Sequence, residues 1–537
     1  MSLTKCVLAA FLLLASSAGL ARPIEEWVAR YNGPGSGSDE TFALAVDAEG
    51  NIYVTGRSQG SDTYDDYATL KYDSNGDTVW VARYSGPGNG SDVAHAVAVD
   101  ASGNVYITGE SLGSGTYLDY ATIKYRSNGD TVWVQRYNGP GNWHDRAKAL
   151  AVDGSGNVYV TGNSQGDYLT MKYDPNGDTV WVRRYDGTGG SEDKPSALAV
   201  DGSGNVYVTG YSLGTSFDYA TTKYDSNGNQ LWAARYDGPA NDWDDACAVA
   251  VDASGNVYVT GSSRGSGTRK DYATIKYDSN GDTVWVVRYN GPGNRDDEAY
   301  ALTIDGEGNV HVTGTSMGYP GYYDYATIKY NSYGRRLWVA RYNGHHWDEA
   351  YALALDPFGN VYVTGMSWGG ADIDMDYATV KYDPHGNELW VVRYNGPANK
   401  SDRAKAVAVD ASGNVYVTGY SEGFRSGWDY ATIKYSQNTG IDTQNPDNSL
   451  PKDFRLTCRP NPFNATTEIS YTLTEAGEVE LTIYNIGGQL IETLVDGHQE
   501  AGEYQIIWDA SEQASGIYFY RLSTGDFTET KRMTLLR

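Results

Sequence analysis

The chain has 537 residues, and its 40% hydrophobic and 13% aromatic content excludes a disordered polymer. Its 68 acidic against 41 basic residues give a net charge of −27, a field that repels phosphate backbones and argues against a nucleic-acid partner. A mean hydropathy of −0.52 excludes a polytopic membrane protein, and 64 Gly with 46 Tyr beside only 9 Phe favour short strands joined by turns.

Residues 1–21 read as an export signal. Lys5 supplies the positive start, Cys6 to Ala15 is an apolar run, and small residues lead to cleavage after Ala18 or Ala21. The apolar run is too short to span a bilayer, and no later stretch approaches ~18 apolar residues, so no transmembrane segment is expected in the mature chain. Cleavage would leave Cys247 and Cys458, which fall in different segments and make no disulfide framework.

Repetition dominates the next four hundred residues. Gly-Asn-x-Tyr-x-Thr-Gly, with His once in place of Tyr, recurs with its Asn at 51, 104, 157, 205, 256, 309, 360 and 414. Seven intervals cover 363 residues, about 52 each, a period that points to a propeller. Each unit holds four strand-like pieces; in the second unit they are Ala96–Asp100, Asn104–Thr108, Tyr120–Tyr125 and Thr131–Tyr137. The Trp strand recurs from Trp27 to Trp390, but the last unit stops at Tyr435 without one. The surplus Trp strand at Trp27–Tyr31 is expected to complete it, since an open solenoid would need polar caps rather than this permutation.

The strings AVDASGNVYVTG (Ala250–Gly261) and DYATIKYDSNG (Asp271–Gly281) resemble bacterial beta-propeller repeats of the SBBP type. The resemblance covers roughly residues 25–436. It implies a propeller and no fixed activity, with eight units here against the seven blades commonly associated with the family. The expected fold is all-β: an eight-bladed beta-propeller over 24–437 closed by the N-terminal strand, a linker over 438–452, and a small Ig-like β-sandwich over 453–537.

In that last segment Pro460–Asn464, Leu481–Gly488, Ala501-Gly502, Trp508-Asp509 and Ser515–Arg521 resemble a type A C-terminal sorting domain of the type IX secretion system, and the related Ig-like domain of flagellar hook-capping proteins. The resemblance implies a partner in outer-membrane export machinery and a secreted or cell-surface location in a bacterium. It also implies a sorting role for the basic pair Lys531 and Arg532 ahead of the apolar end.

Charges that recur in every unit read as architecture, because a charge held near a core must be paired. The Asp that opens each DYAT string (Asp66 to Asp429), the Lys five residues on, the Arg three residues after each Trp and the Asp eight residues before each hairpin Asp (Asp39 to Asp402) are expected to form ion pairs within a blade and to cap turns. The Asp-Ser-Asn-Gly-Asp turns lack the distant Glu of a calcium loop, and His345-His346 lacks a third ligand, so no metal or other cofactor is expected.

Unit-specific residues carry more information. The two longer loops of each unit share one face and hold Trp143, His144, Trp243, Tyr319, Tyr322, Tyr323, His345, His346, Trp347, Trp368, Phe424 and Trp428. Aromatics on rigid loops suit stacking on sugars or gripping a partner's side chains. Trp143, His144, Trp243, Tyr322, His345, His346, Trp347, Trp368 and Trp428 are therefore the candidate ligand-binding residues for a carbohydrate or protein. The expected function is an exported, monomeric, non-catalytic binding or structural protein. The alternative is a secreted hydrolase or lyase acting on polysaccharide or peptide, with Asp372 and Asp374, or Glu298 and Glu349, as its carboxylate pair.

Overall fold

The computed structural model describes residues 22–437 other than 36, 62–63, 189–191, 320, 345, 370–373 and 425, and residues 455–535 other than 460–462, 464, 474–476, 487, 500–501, 512 and 525–526. The expected signal peptide, the expected linker, His345 and Asp372 lie outside the described residues. The chain divides near residue 440 into two compact units.

The first unit begins with β1 (Ile24–Tyr31), β2 (Asp39–Val46), β3 (Ile52–Gln59), β4 (Asp65–Tyr72) and β5 (Thr78–Tyr84). Strands β2 to β5 pair in sequence order as one antiparallel sheet, and the same order recurs over 92–137, 145–185, 193–236, 244–289, 297–342 and 348–394. A further sheet takes Asp402–Val409, Val415–Glu422 and Trp428–Ser436. Its fourth strand is β1, which sets Trp27 opposite Lys434 and Tyr31 opposite Tyr430. No helix occurs among the described residues. The architecture is all-β and propeller-like, built of repeated four-stranded sheets.

Strands run longer than the sequence pieces suggested. In the second sheet the first piece is Asp92–Val99, not Ala96–Asp100, so the recurrent Asp opens a strand. Successive first strands lie against one another, and Asp402–Val409 lies against β2. The second and third strands are buried on both faces, which is why Val-Tyr-Ile-Thr runs without a polar side.

Three kinds of contact tie neighbouring sheets, the first of them at every junction. Tyr67 donates its hydroxyl to the Ala121 carbonyl at 3.2 Å, Tyr120 repeats this toward Leu169, and Tyr430 donates to Ala68 in the first sheet. Trp80 donates its indole N–H to the Ser127 carbonyl of the next sheet's hairpin, and its ring covers Gly129 there. Arg83 holds Asp66 of its own sheet at 2.9 Å while its other nitrogen donates to the Tyr31 hydroxyl of the preceding one.

The in-sheet Arg–Asp pairs expected from sequence are thus present, among them Arg136–Asp119 at 2.8 Å and Arg288–Asp271 at 2.9 Å. The lysines correct the expectation. Lys124 and Lys172 donate not to a carboxylate of their own sheet but to the Pro175 and Ser226 carbonyls of the following one, and each lies 5.1 Å from a Tyr ring centre. A flexible ammonium reaches across the gap between sheets, whereas the forked guanidinium already fills the nearest carboxylate. Lys329, 3.1 Å from Asp305 of its own sheet, departs from that pattern.

Hairpins between first and second strands are held by one carboxylate. Asp47 accepts the N–H groups of Glu49 and Asn51, the Asn51 amide and the Tyr53 hydroxyl. Gly50 takes φ of +78° in that turn, which other residues enter only with strain.

The second unit has one three-stranded sheet, Arg455–Arg459, Thr466–Leu473 and Gly502–Asp509, and one four-stranded sheet ordered Leu490–Gln499, Gly477–Asn485, Gly516–Thr524, Phe527–Leu535. Leu456, Ile469, Leu481, Trp508, Leu522 and Met533 belong to one buried core. Cys458 is buried there as a free thiol beside Thr467 and Met533.

Candidate functional site

In several sheets a single buried aspartate ties the two longer loops together on one face. Asp39 accepts the Gly33 N–H at 2.7 Å from the loop before β2, and the Gln59 N–H at 3.1 Å from the end of β3. A Cβ at Gly33 would sit 2.2 Å from Ser58 Oγ, so only glycine passes here. Asp92, Asp193 and Asp244 do the same work in other sheets, while Asp402 accepts the Gly396 N–H of the first loop. Burial is the main influence on the Asp39, Asp92, Asp244, Asp297 and Asp402 carboxyls and raises their pKa; Asp297 and Asp402 reach about 6.

On this face the candidate aromatics fall into separate groups. Tyr322 and His346 rings lie 4.1 Å apart, His346 and Trp368 5.4 Å, and Tyr323 and Trp347 5.1 Å, so the loop rings of two neighbouring sheets interleave. Trp243 packs with Phe217 and Tyr211, and His144 with Tyr117 at 4.9 Å. Trp143 is 64% exposed and Tyr319 89%. Trp368 and Trp428 are strand residues, paired with Met375 and Glu422, rather than loop residues, and both are half-buried. Trp428 contacts Tyr420 and Arg403. In the second unit Lys531 donates to the Leu456 carbonyl at 2.6 Å, and Arg532 pairs with Phe519 across the sheet.

The first strands carry the expected Glu298 and Glu349 and add residues that sequence reasoning missed. After its opening Asp, each has two varying positions separated by a small residue: Glu40 and Phe42, Arg146 and Lys148, Glu298 and Tyr300, Glu349 and Tyr351, Arg403 and Lys405. The later of the two positions touch from sheet to sheet. Phe42 lies 6.0 Å from His95, Lys148 Nζ 3.4 Å from His95 Nε2, Tyr300 5.9 Å from Tyr351, and Lys405 Nζ 4.0 Å from the Tyr351 ring centre. The signal was present: in a string that is otherwise mostly Asp-x-Ala-x-Ala, with Thr41 and Pro195 as departures, the x positions vary most. Crowding shifts these groups. Burial, helped by Lys148 and Arg146, holds His95 down to about 3; burial lowers Lys148 and Lys405 and raises Asp245 to about 6.

The carboxylate pair Glu298 and Glu349 is already engaged. Glu298 holds Lys270 at 2.7 Å and the Tyr300 hydroxyl at 2.8 Å, and Glu349 accepts from Trp347 and Tyr351. Two acidic triples, Asp167–Asp186–Asp193 and Asp218–Asp237–Asp244, each bring carboxylate oxygens within 4.8 Å of one another, the spacing a cation needs. Each already contains an arginine partner, Arg184 and Arg235, which supplies positive charge there. Two depressions of about 440 and 600 Å³ lie on the opposite, hairpin side. Their carboxylates, such as Asp100, Asp153 and Asp356, are occupied in holding the turns, so these hollows offer few free groups to a ligand.

Two family models match the chain. Beta-propeller repeat matches residues 26–62, 79–115, 132–168, 180–218, 284–322, 337–373 and 392–424. Residues 219–283 fall between matched segments, yet 244–289 form the same four-stranded sheet. Secretion system C-terminal sorting domain matches residues 459–535. An uncharacterized WD repeat-containing protein, L264, of Acanthamoeba polyphaga mimivirus is 25% identical over 463 residues, which cover 71% of this chain; the chain spans only 29% of that relative's length. Among solved structures, PorZ, a surface component of the type IX secretion system of Porphyromonas gingivalis, is 15% identical with TM-score 0.28 over 92% of this chain and 74% of that one. The beta-propeller domain of the Trilobed protease from Pyrococcus furiosus is 8% identical with TM-score 0.38 over 68% and 97%. Likenesses this weak carry no argument about function.

Proposed function

Because the chain is an exported bacterial protein of beta-propeller repeats ending in a type IX sorting domain, we propose that it is a non-catalytic binding protein, secreted or displayed at the cell surface, that takes its ligand on the loop face. In this reading residues 24–437 are eight blades closed by β1, residues 438–452 a linker, and residues 453–537 an Ig-like module through which the chain engages the export machinery. The propeller acts as a monomer, and its ligand is a carbohydrate or a protein.

One contrast carries the reading. The charges repeated in every sheet are committed to holding sheets and loops together, while the variable residues of the loop face are ring faces open to solvent, Trp143 and Tyr319 foremost. Rings on a rigid support bind without needing a reacting group. The carboxylates a glycosidase would need are engaged with Lys270, Tyr300, Trp347 and Tyr351, which weighs against the hydrolase alternative.

The test is a glycan and surface-protein binding screen of the purified chain, repeated with Trp143, Trp347 and Trp428 all changed to Ala. Binding is expected to fall while the sheets stay folded, as the far-UV spectrum checks. A ligand that survives the triple change and is lost on altering the hairpin side would sink the assignment.

A further inference from the structure

Trp347 immediately precedes the strand Asp348–Leu355, and three contacts fix it. Its indole N–H donates to Glu349 at 2.5 Å, its carbonyl accepts the Trp368 N–H at 3.1 Å, and its ring lies 5.1 Å from that of Tyr323, tilted by 55°. The side chain is nonetheless 43% exposed. Two aromatic walls thus meet at an angle, and a carboxylate stands at the edge of one of them.

That carboxylate has no cation of its own. Burial, together with Asp296, Glu298 and Glu349 and against Arg269, raises the Tyr323 hydroxyl, so three acids act on this corner. Arg269 holds Asp296 at 3.1 Å and Lys270 holds Glu298 at 2.7 Å. Among the described residues Glu349 has no ion pair. The Trp347 indole and the Tyr351 hydroxyl, both neutral, donate one bond to each of its oxygens. A carboxylate oxygen offers two acceptor positions, so each keeps one. Lys405 acts on Glu349 through space but stands on the Tyr351 ring, 4.0 Å from its centre. Other rings on this side likewise carry a cation, Arg403 lying 5.8 Å from the Trp428 ring centre. Among the described residues no cation lies over the Trp347 or Tyr323 ring.

We propose that Trp347, Tyr323 and Glu349 receive an arginine side chain of a basic partner protein, its guanidinium stacked on the indole and its charge turned to the carboxylate. The inference rests on the loop-face reading above and names the partner's chemistry. The three residues are joined by direct contacts, so one side chain can meet them all. A guanidinium laid on the indole at ~3.5 Å comes within ion-pair reach of the carboxylate that the indole N–H itself touches. Its planar fork of donors suits the two free acceptor positions of Glu349. A neutral sugar would find the ring but leave the carboxylate's charge unmatched. The chain's net charge of −27 draws a basic partner in and speeds its encounter.

The experiment is calorimetric titration of the full mature chain with a capped Gly-Arg repeat peptide, and with the same peptide carrying citrulline, the neutral analogue of arginine, at physiological and high salt. The arginine peptide is expected to bind at least about 10-fold tighter than the citrulline peptide and to weaken with salt. Glu349→Gln, nearly the same shape, should lower its affinity about 10-fold and abolish the preference over citrulline. Trp347→Leu should weaken the arginine peptide to a similar extent. Glu49→Gln makes the same change of charge in a hairpin of the opposite side and should stay within about 2-fold of the parent. Far-UV circular dichroism checks the fold of each variant, and Glu349→Gln still decides if Trp347→Leu does not fold. Equal affinity for the citrulline peptide, or equal losses in Glu349→Gln and Glu49→Gln, overturns the proposal, the second by showing diffuse attraction to an acidic chain. An arginine peptide that fails to bind while the loop face takes a glycan or a surface protein overturns this inference alone, whereas a loop face that takes neither sinks both readings.

Discussion

The Tyr430 hydroxyl donates to the Ala68 carbonyl at 3.2 Å although 362 residues separate the two in sequence. The same bond joins Tyr67 to Ala121 and Tyr377 to Ala431, so the last sheet meets the first through the contact that every other neighbouring pair uses. Trp27 adds a second tie, donating to the Ser74 carbonyl of the first sheet while its own strand pairs with Trp428–Ser436.

Removing residues 22–32 should therefore leave Trp428–Ser436 with an unpaired edge and take Trp27 off Gly76. The truncated chain should melt well below the parent or aggregate on concentration. Melting by circular dichroism with light scattering decides; an unchanged midpoint in a monodisperse sample contradicts the pairing.

Glycines of this fold divide by what covers them. At Gly76, φ is +87° and a Cβ would sit 2.6 Å from Trp27 Cδ2; at Gly154, a Cβ meets nothing within 4 Å. Gly76→Ala should cost about 1–3 kcal/mol, from both strain and overpacking, and Gly154→Ala roughly nothing. Urea unfolding of the two variants provides the comparison, and equal midpoints would contradict the packing.

Asp402 gives a signed pH effect. Its folded pKa lies near 6, mainly through burial, well above the 3.8 of an ordinary aspartate. Below about pH 4 the carboxyl is protonated in both states and exerts no influence. Between about 4 and 6 the unfolded chain ionises while the folded one keeps its proton, so this group's contribution to stability falls as pH rises, and above 6 the penalty is complete. Histidines such as His95, whose folded pKa is depressed, act with the opposite sign over part of that window, so the readout is a difference. The stability of Asp402→Asn relative to the parent should rise from pH 4 to pH 7. A flat difference across that range refutes the assignment.

A chain ending at Gln437 should keep the far-UV spectrum of the sheets and stay in the periplasm of its native host, while residues 439–537 fused to an unrelated periplasmic protein should carry it outward. Fractionation of both proteins is the readout; surface display of the truncated chain would argue against the sorting role.

Local chemistry was legible in the sequence. Turns such as Asp47-x-x-Gly50-Asn51 are closed by residues a few positions apart, and the Arg83–Asp66 pair joins adjacent strands, so the repeat itself predicts them. The spare Trp strand and the missing one at Tyr435 likewise point to β1 and Trp428–Ser436 as partners. The destination of the lysines and the row formed by Phe42, His95 and Lys148 were not legible. Those contacts join residues one repeat apart, such as Lys124 with Pro175 and Lys148 with His95. Which side chains meet across that distance depends on how neighbouring sheets are rotated against each other, and that angle is set by the packing of buried Tyr and Trp rings rather than by any local spacing.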